Sequence, residues 1–339
     1  MKKVLVGMSG GVDSTAAVLL LKNAGYDVFG LTLHLCGDGK GTEEAAALAE
    51  SLSIPHAVLD MRREFHEKVQ RPFKDAYLAG KTPNPCVKCN TEIKFAALMA
   101  YADAHGIPFI ATGHYAKIKE DNGKFLFCRS VDEKKDQTYF LSQVPPSVLE
   151  RLLLPLGAYT KAEVRSIAGD AALAVSKKAD SQEICFIPDN DYIAYLESAF
   201  SIPKTEGKIL DENGYTVGFH QGIHRYTVGQ RKGLGAFGRK VFVTSINADD
   251  NTVSIGANEA LFSKGLVAEK LNLFSDIEGD VLVKVRSAAP LVPARCTTAE
   301  NGAQILFEEP QRAVTPGQAV AIYKNDFLAG GGTIVSPLF

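Results

Sequence analysis

Two short segments of the sequence combine residue types and spacings that can support chemistry. The first is Gly7-Met8-Ser9-Gly10-Gly11-Val12-Asp13-Ser14, which contains three glycines and two serines. Glycines let a backbone fold around an anion, and serine hydroxyls add hydrogen-bond donors. The second is Cys86-Val87-Lys88-Cys89, which follows prolines at positions 83 and 85. Thiols spaced in this way can act as nucleophiles, bind a metal or exchange disulfides.

The glycine-rich segment lies where the sequence predicts a strand followed by a helix. Residues 4–8 form an apolar run of strand length, and residues 14–23 carry apolar side chains at helical spacing. A helix that begins here adds N–H donors and the positive end of its dipole to the loop. Asp13 is unusual there, because a carboxylate beside a phosphate is unfavourable unless it engages a cation such as Mg²⁺ or organises the loop. The segment matches neither the Walker loop nor the GxGxxG pattern.

Three of the six cysteines are candidates for chemistry. Cys185, in the polar stretch DSQEICF, joins Cys86 and Cys89 in this group. A zinc site is disfavoured because no second cysteine or histidine pair supplies the remaining ligands, and the Pro-Asn-Pro context is not typical of a thioredoxin-type pair. We therefore predict that the three cysteines are catalytic or bind a cluster. The other three lie in or beside strand-like runs and are predicted to be packing or surface thiols: Cys36, Cys128 and Cys296.

The pattern of apolar residues predicts an α/β fold followed by an all-β half. Predicted strands at 4–8, 28–35, 54–59 and 109–112 alternate with predicted helices at 14–23, 42–52 and 95–105. This alternation is typical of a parallel sheet with helices on both faces. Residues 137–200 are mainly helical in pattern. Beyond residue 201, short β-branched runs recur between turn signals, and a division near 261–266 is expected.

Composition excludes several classes of protein. The chain has 339 residues, of which 46% are hydrophobic and 22% charged, and its formal charge is 37 − 39 = −2. These are ordinary globular values, and no apolar run approaches the roughly 18–20 residues of a membrane helix. The run at 4–8 is too short for a signal peptide. We therefore expect a cytoplasmic protein without a membrane partner, whose cysteines do not form a disulfide framework.

Local charge indicates RNA binding despite the near-zero net charge. Residues 213–248 contain no Asp or Glu but carry five lysines and arginines, and residues 281–299 are also free of acids. Such stretches can neutralise phosphates, although a solvated basic face is the alternative. Glycines beside the basic residues favour close backbone approach, so we predict contact with RNA rather than a solvated face. No DNA partner is expected.

The motifs resemble those of one enzyme family. GMSGGVDS is similar to the PP-loop of the N-type ATP pyrophosphatases. Together with TPNPCVKCNTEIKF, ATGHYA, DEKKDQTYFL, DSQEICFI, HRYTVGQRKGLG and GGGTI, in this order, it resembles the bacterial tRNA-specific 2-thiouridylases (MnmA/TrmU family). The resemblance extends over essentially the whole chain.

The resemblance implies a fold and a reaction. The fold is a Rossmann-like parallel-sheet PP-loop ATPase domain at 1–200, a small mainly-β central domain at 201–262 and a C-terminal β-barrel that contacts tRNA at 263–339. The reaction is ATP-dependent 2-thiolation of the wobble uridine of tRNA, with ATP and Mg²⁺ as cofactors. The sulfur comes from a sulfur-donor protein or another sulfide source.

The resemblance also assigns roles to individual residues. Cys185 matches the cysteine that receives a persulfide, and Cys89 matches the catalytic nucleophile. The residues from Gly7 to Ser14 surround the phosphates, and Leu33 and Gly113 contact the adenosine. The positions matched to tRNA contacts are Asn84, Pro85, Cys86, Lys135, Asp136, Gln137, Arg286 and Ser287.

One residue departs from the family pattern. Many members carry Asp where this chain has Cys86. With a third thiol available, Cys86, Cys89 and Cys185 form a candidate ligand set for a [4Fe–4S] cluster that would bind exogenous sulfide. The persulfide and cluster mechanisms both remain open at this point.

Two other functions are consistent with parts of the sequence. Another adenylating PP-loop enzyme, such as an amide synthetase or a tRNA modifier with an amine nucleophile, would need the loop but not the paired cysteines. A nucleotide-sensing RNA-binding module would need neither pyrophosphate release nor reactive thiols.

Overall fold

The computed structural model describes residues 1–121, 123–170 and 184–339. Two predicted features lie outside the described residues. One is part of the helical pattern at 137–200, and the other is DSQE at 180–183, the first half of the motif DSQEICFI. The chain folds into two compact units. Unit 1 comprises Met1–Val69, Cys86–Gln182 and Asp326–Ala329, and unit 2 comprises Gln70–Pro85, Glu183–Asn325 and Gly330–Phe339. The predicted three-domain boundaries at 200 and 262 are a finer division and remain predictions.

The described residues form the following strands and helices. The strands are β1 Lys3–Gly7, β2 Asp27–His34, β3 His56–Asp60, β4 Phe109–Ala111, β5 Lys117–Asp121, β6 Lys124–Cys128, β7 Leu152–Leu153, β8 Gly207–Leu210, β9 Thr216–His220, β10 Phe242–Asn247, β11 Thr252–Gly256, β12 Phe262–Leu273, β13 Gly279–Lys284, β14 Val292–Ala299, β15 Gly302–Arg312, β16 Ala319–Lys324 and β17 Phe327–Leu338. The α-helices are α1 Val12–Asn23, α2 Lys40–Ser51, α3 Arg62–Phe65, α4 Arg71–Leu78, α5 Pro85–Cys89, α6 Phe95–Ala104, α7 Thr138–Leu141, α8 Lys161–Asp170 and α9 Tyr192–Ala199. Single π-helical turns span His66–Gln70 and Asn90–Lys94.

Unit 1 is built on a five-stranded sheet in the order β3-β2-β1-β4-β7, and neighbouring strands in it pair in parallel. The central strand β1 is covered on both faces, and Val4, Leu5 and Val6 are fully buried. This explains why the strand is a continuous apolar run rather than an alternating one. The chain moves from β1 to one side through β2 and β3, and then places β4 on the other side. The predicted parallel α/β sheet is confirmed.

The order of the strands fixes where a ligand can bind. The direction of winding reverses between β1 and β4, which creates a switch point at the carboxyl ends of these two strands. The loop after β1 and the loop after β4 therefore meet at one edge of the sheet. Both loops carry residues that the sequence singled out.

The cysteine pair lies within a helix rather than ahead of one. Helix α5 begins at Pro85, and the chain continues through the π-helical turn Asn90–Lys94 into α6 without a break. Proline is favourable at a first helical position because its missing N–H has no partner there in any case. The sequence predicted a helix only from residue 95, so the observed helix begins earlier. A π-helical turn within a helix is often found at functional sites.

Unit 2 contains a four-stranded sheet and a closed barrel. The sheet has the order β10-β11-β8-β9, with β11 and β8 parallel. The barrel has six strands in the order β12-β15-β14-β13-β16-β17 and closes through pairing of β12 with β17. Alternating residues such as Val283, Ile305 and Ile322 fill its interior and are fully buried. The predicted all-β half is confirmed.

The hairpin of β5 and β6 in unit 1 was also missed. Its first strand is KIKED, which has too few apolar residues to show the alternation typical of a strand. None of the helices in the described ranges combines the length and the apolarity needed to span a membrane.

Candidate active site

The glycine-rich loop closes onto the first turn of α1. Gly10 has a φ of 70°, a conformation that favours glycine, and Gly11 is the extended N-cap residue with φ −102° and ψ 168°. The Ser9 N–H donates to Ser14 Oγ at 3.3 Å, and Ser14 Oγ donates to the Gly11 carbonyl at 3.1 Å. These bonds fix the loop around the N-terminus of a helix, which is an anion-binding arrangement.

The loop after β4 lies directly against this loop. A Cβ atom on Gly113 would lie 2.9 Å from the Asp13 carbonyl carbon and 3.0 Å from the Ser14 nitrogen. Only glycine fits such close backbone approach. Leu33, near the end of β2 and half-buried, lies at the same edge of the sheet. The structure thus brings together the predicted nucleotide residues 7–14, Leu33 and Gly113.

Asp13 is held by two side chains that the sequence analysis did not identify. Lys161 Nζ and the Tyr115 hydroxyl each donate to Asp13 Oδ1 at 2.7 Å. The Lys161 side chain is 13% exposed and the Asp13 side chain 37%. The Lys161 ammonium also lies 5.5 Å from the centroid of the Tyr115 ring. Of the two roles predicted for Asp13, these contacts favour organisation of the loop.

Lys161 is positioned by a capping box at the start of α8. The backbone N–H and the hydroxyl of Thr160 both donate to Glu163 Oε2, at 2.7 and 2.8 Å. These bonds lower the pKa of the Glu163 carboxyl. The Lys161 N–H donates in turn to Asp132 Oδ2 at 3.0 Å. The T-x-x-E pattern at 160–163 was the sequence signal that could have located this helix start.

His114, which follows Gly113, is a neutral imidazole. Burial, together with the nearby Lys94 ammonium, lowers the pKa of His114 to about 3. Its Nδ1 lies 2.8 Å from the Thr112 hydroxyl, and its ring stacks on Phe95 with centroids 5.9 Å apart. The histidine is therefore an uncharged hydrogen-bonding group at this edge of the sheet.

The segment that leads to the cysteines is fixed within unit 2. The Thr82 N–H donates to the Pro316 carbonyl at 2.9 Å, and Gln318 Nε2 donates to the Thr82 carbonyl at 2.9 Å. A Cβ on Gly317, whose φ is 90°, would lie 3.1 Å from the Thr82 nitrogen. These contacts hold the approach to the predicted tRNA-contacting residues Asn84 and Pro85, of which Asn84 is half-buried and Pro85 is buried.

The three candidate cysteines differ in exposure. Cys86 is half-buried, Cys89 is 5% exposed and Cys185 is exposed. Asn90, which follows Cys89, is buried; its amide donates to the Phe140 carbonyl at 3.0 Å, while its Oδ1 has no hydrogen-bond partner among the described residues.

The described residues do not contain a preformed metal centre. Within 1–121, 123–170 and 184–339, no group of three or more His, Cys, Asp or Glu side chains is arranged to hold a metal ion. The [4Fe–4S] cluster on Cys86, Cys89 and Cys185 stays a prediction, and we derive no step through one.

Two of the remaining cysteines are packing thiols. Cys128 and Cys296 are buried, and burial raises the pKa of the Cys296 thiol to about 11. A thiol with so high a pKa is almost entirely protonated near neutral pH and reacts poorly. Cys36 is half-buried.

The predicted tRNA-contacting segment Lys135-Asp136-Gln137 lies in unit 1 and is half-buried. Asp136 Oδ2 accepts the Ser130 N–H at 2.9 Å. Gln137 pairs with Tyr115 twice, since its Oε1 accepts the Tyr115 N–H and its own N–H donates to the Tyr115 carbonyl, each at 2.9 Å. The segment is therefore ordered by contacts within the chain.

Arg286, another predicted tRNA contact, is engaged inside unit 2. Its guanidinium donates to the Val228 carbonyl at 3.0 Å and to the Thr315 hydroxyl. Ser287 beside it is exposed. These bonds give Arg286 a role in joining two loops, and its contact with tRNA stays a prediction.

The acid-free stretch of unit 2 is only partly available to phosphate. Arg239 pairs with Glu212 at 2.8 Å, and Arg225 pairs with Glu197. Arg231 and Lys232 are exposed, and neither side chain has an acidic partner among the described residues. These two are the strongest candidates for RNA contact in this stretch.

The combination of an anion-binding glycine loop at the switch point of a parallel sheet with C-terminal β domains defines a nucleotide-binding α/β protein. Three family models match the chain. They are described as the tRNA methyl transferase HUP domain at residues 2–189, the tRNA methyl transferase PRC-barrel domain at 196–257 and the aminomethyltransferase beta-barrel domain at 263–334.

Similar proteins specify the family. The chain is 44% identical over 356 residues to a protein of Clostridium perfringens and 45% identical over 357 residues to one of Clostridioides difficile, with 99% of both chains covered in each case. It is 44% identical over 355 residues to a protein of Carboxydothermus hydrogenoformans, with 98% of this chain and 97% of that one covered. All three are named tRNA-specific 2-thiouridylase MnmA. The chain belongs to this family, which confirms the resemblance seen in its motifs.

Proposed function

We propose that the protein is an ATP-dependent tRNA-uridine 2-sulfurtransferase that thiolates the wobble uridine. The observation that carries the proposal is the loop of residues 7–14 at the N-terminus of α1, in a chain that matches tRNA 2-thiouridylases over almost its full length. The oxygen at C2 of uracil is a very poor leaving group. Transfer of AMP to this oxygen, with release of pyrophosphate, makes it a good one.

The chain's own residues have distinct parts in the adenylation step. The N–H groups of Gly10 to Ser14 and the serine hydroxyls hold the phosphates, and Leu33 and Gly113 border the adenosine. Lys161 neutralises Asp13, which would otherwise repel the nucleotide. Because this carboxylate already has a cationic partner, we assign Mg²⁺ to the ATP phosphates as their counter-ion and not to a protein ligand.

The sulfur step uses Cys89 and Cys185. In the proposed sequence, a donor protein leaves Cys185 as a persulfide. The Cys89 thiolate attacks Cys185 Sγ, a Cys89–Cys185 disulfide forms, and the outer sulfur leaves as sulfide. Sulfide then attacks C2 of the adenylated uridine and AMP departs. A cellular thiol reductant must reduce the disulfide before the next turnover.

The exposures of the two thiols support these roles. Cys185 is exposed, as a cysteine that receives sulfur from another protein must be. Cys89 is 5% exposed, and such burial protects a nucleophile from oxidation by other reagents. Cys86, in place of the aspartate of many relatives, is proposed to contact the target base together with Asn84 and Pro85.

The products formed from ATP test the adenylation step. Incubation with tRNA should yield AMP and pyrophosphate, and tRNA whose wobble uridine is replaced by another base should not stimulate this release. A matched Cys89→Ser variant should still release pyrophosphate, because adenylation precedes the sulfur step. Formation of ADP, or base modification without any use of ATP as in methyl transfer, would contradict the proposal.

A further inference from the structure

We propose that Tyr115 and Lys161 are positioning residues that couple the nucleotide loop to the segment Ser130–Gln137, so that tRNA held at Lys135–Gln137 tightens the binding of ATP. The inference rests on the proposed function and deepens it, because it concerns the order in which the two substrates bind. All of the residues involved lie in unit 1.

The first connection runs through Tyr115. Gln137 is joined to the Tyr115 backbone by the pair of 2.9 Å hydrogen bonds, and the Tyr115 hydroxyl donates to Asp13 Oδ1 at 2.7 Å. Tyr115 is 2% exposed and packs in the core cluster with Val12 and Ala16 of α1. A displacement of Gln137 must therefore be transmitted to the loop or break these bonds.

The second connection runs through Lys161. Asp132 Oδ1 accepts the N–H groups of Lys134 and Lys135, while its Oδ2 accepts the Lys161 N–H at 3.0 Å. Lys161 Nζ then donates to the same Asp13 oxygen that Tyr115 uses. The capping box of Thr160 and Glu163 holds Lys161 at the first position of α8, so the lysine has little freedom to adjust on its own.

Both connections end at the same carboxylate oxygen, Asp13 Oδ1, so both act on the nucleotide loop. Asp13 lies in the first turn of α1, beside the N–H groups that would bind phosphate. A tRNA that holds residues 135–137 in place also restrains Tyr115, Lys161 and hence the loop. ATP then binds to a loop that tRNA already restrains, so less conformational entropy is lost when ATP binds. By linkage, ATP must tighten the binding of tRNA by the same factor.

The affinity for a non-hydrolysable ATP analogue, measured by equilibrium binding with and without saturating tRNA, tests the coupling. Wild-type protein should bind the analogue about tenfold more tightly when tRNA is present, within the range typical of coupled sites. Tyr115→Phe, which removes only the hydroxyl, should reduce this effect to less than about threefold. Asp132→Ala should weaken it through the other connection. Tyr26→Phe, which alters a tyrosine packed against the same core outside the network, serves as the matched control and should keep the full effect.

Different results would contradict the coupling and the proposed function. Equal affinity of wild-type protein with and without tRNA, in a preparation that thiolates tRNA normally, would overturn the coupling and leave the proposed function intact. A full tRNA effect in both Tyr115→Phe and Asp132→Ala would overturn it as well. Wild-type protein that binds ATP but never modifies tRNA would overturn the proposed function and this inference together.

Discussion

The Lys161 ammonium donates to the Asp13 carboxylate at 2.7 Å, across 148 positions of sequence. This ion pair places a cation beside a loop whose backbone is arranged for phosphate. The cation offsets the repulsion that the Asp13 carboxylate would otherwise exert on a bound phosphate. The contact is well shielded, since the lysine side chain is only 13% exposed. Because of this pair, we interpret Asp13 as a residue that organises the loop.

Loss of this pair should weaken ATP binding. In Lys161→Met, the Asp13 carboxylate is left uncompensated and repels the triphosphate. A hydrogen bond to a charged group contributes about 1.5–3 kcal/mol, so we expect KM for ATP to rise about ten- to hundredfold. Lys161→Arg keeps the charge and should show a smaller increase. If Asp13→Asn in the Lys161→Met background did not recover part of the affinity, repulsion by Asp13 would not be the cause.

The contact of Gly113 with the loop predicts a steric effect. In Gly113→Ala, the new methyl group would lie within 3.1 Å of the Asp13 and Ser14 backbone, so the loop must move. Such overpacking costs about 1–3 kcal/mol, and ATP affinity measured by titration should fall accordingly. Gly41→Ala is the matched control, because Gly41 lies in α2 and a Cβ there meets nothing within 4 Å. Equal affinities for the two variants would contradict the described loop contact.

The lowered pKa of His114 predicts how this residue responds to pH. The lowered pKa of about 3 keeps the imidazole neutral in the folded protein, whereas the unfolded chain takes up a proton near the ordinary histidine pKa of 6.5. Since the unfolded state binds more protons in this window, the contribution of His114 to stability is complete above pH 6.5 and is lost as the pH falls towards 3.

NMR of the histidine ring protons provides the measurement. The resonance that disappears in His114→Gln should show no titration between pH 5 and 8. The same variant should unfold with a weaker dependence on pH in this acidic range. A His114 midpoint near 6.5 would contradict the lowered pKa.

The exposures of the cysteines predict their order of alkylation. Iodoacetamide at pH 7.5 should modify Cys185 first, and Cys89, Cys128 and Cys296 last, with the half-buried Cys36 and Cys86 between them. Cys296 should be the slowest because burial also raises its pKa to about 11. Peptide mass spectrometry after brief labelling gives the order. Rapid modification of Cys89 in the absence of substrates would contradict its described burial.

The parts of the site that could be predicted from the sequence are those formed by neighbouring residues. The loop from Gly7 to Ser14 and its strand–helix setting depend on local glycines and local apolar periodicity, and both were predicted. The fold class followed from the same periodicity. The π-helical turn after Cys89 and the early start of the helix at Pro85 were not predicted, since proline at a helix start gives the same signal as proline in a loop.

The parts that could not be predicted depend on contacts between distant residues. Nothing in the local sequence indicates that Lys161 and Tyr115 share one oxygen of Asp13, because only the folded chain brings them together. Arg286 is a second example. Its hydrogen bonds to Val228 and Thr315 were not predicted from the sequence, and its predicted contact with tRNA stays a prediction.

The most direct test of the account is the mass of the wobble uridine after reaction. Purified protein, unmodified tRNA, ATP and a sulfur source are incubated, and the nucleosides are released and analysed by mass spectrometry. We predict a uridine in which one oxygen is replaced by sulfur, formed only with ATP and absent with Cys89→Ser. A nucleoside that gains a methyl group, or one that gains no sulfur, would contradict the central claim.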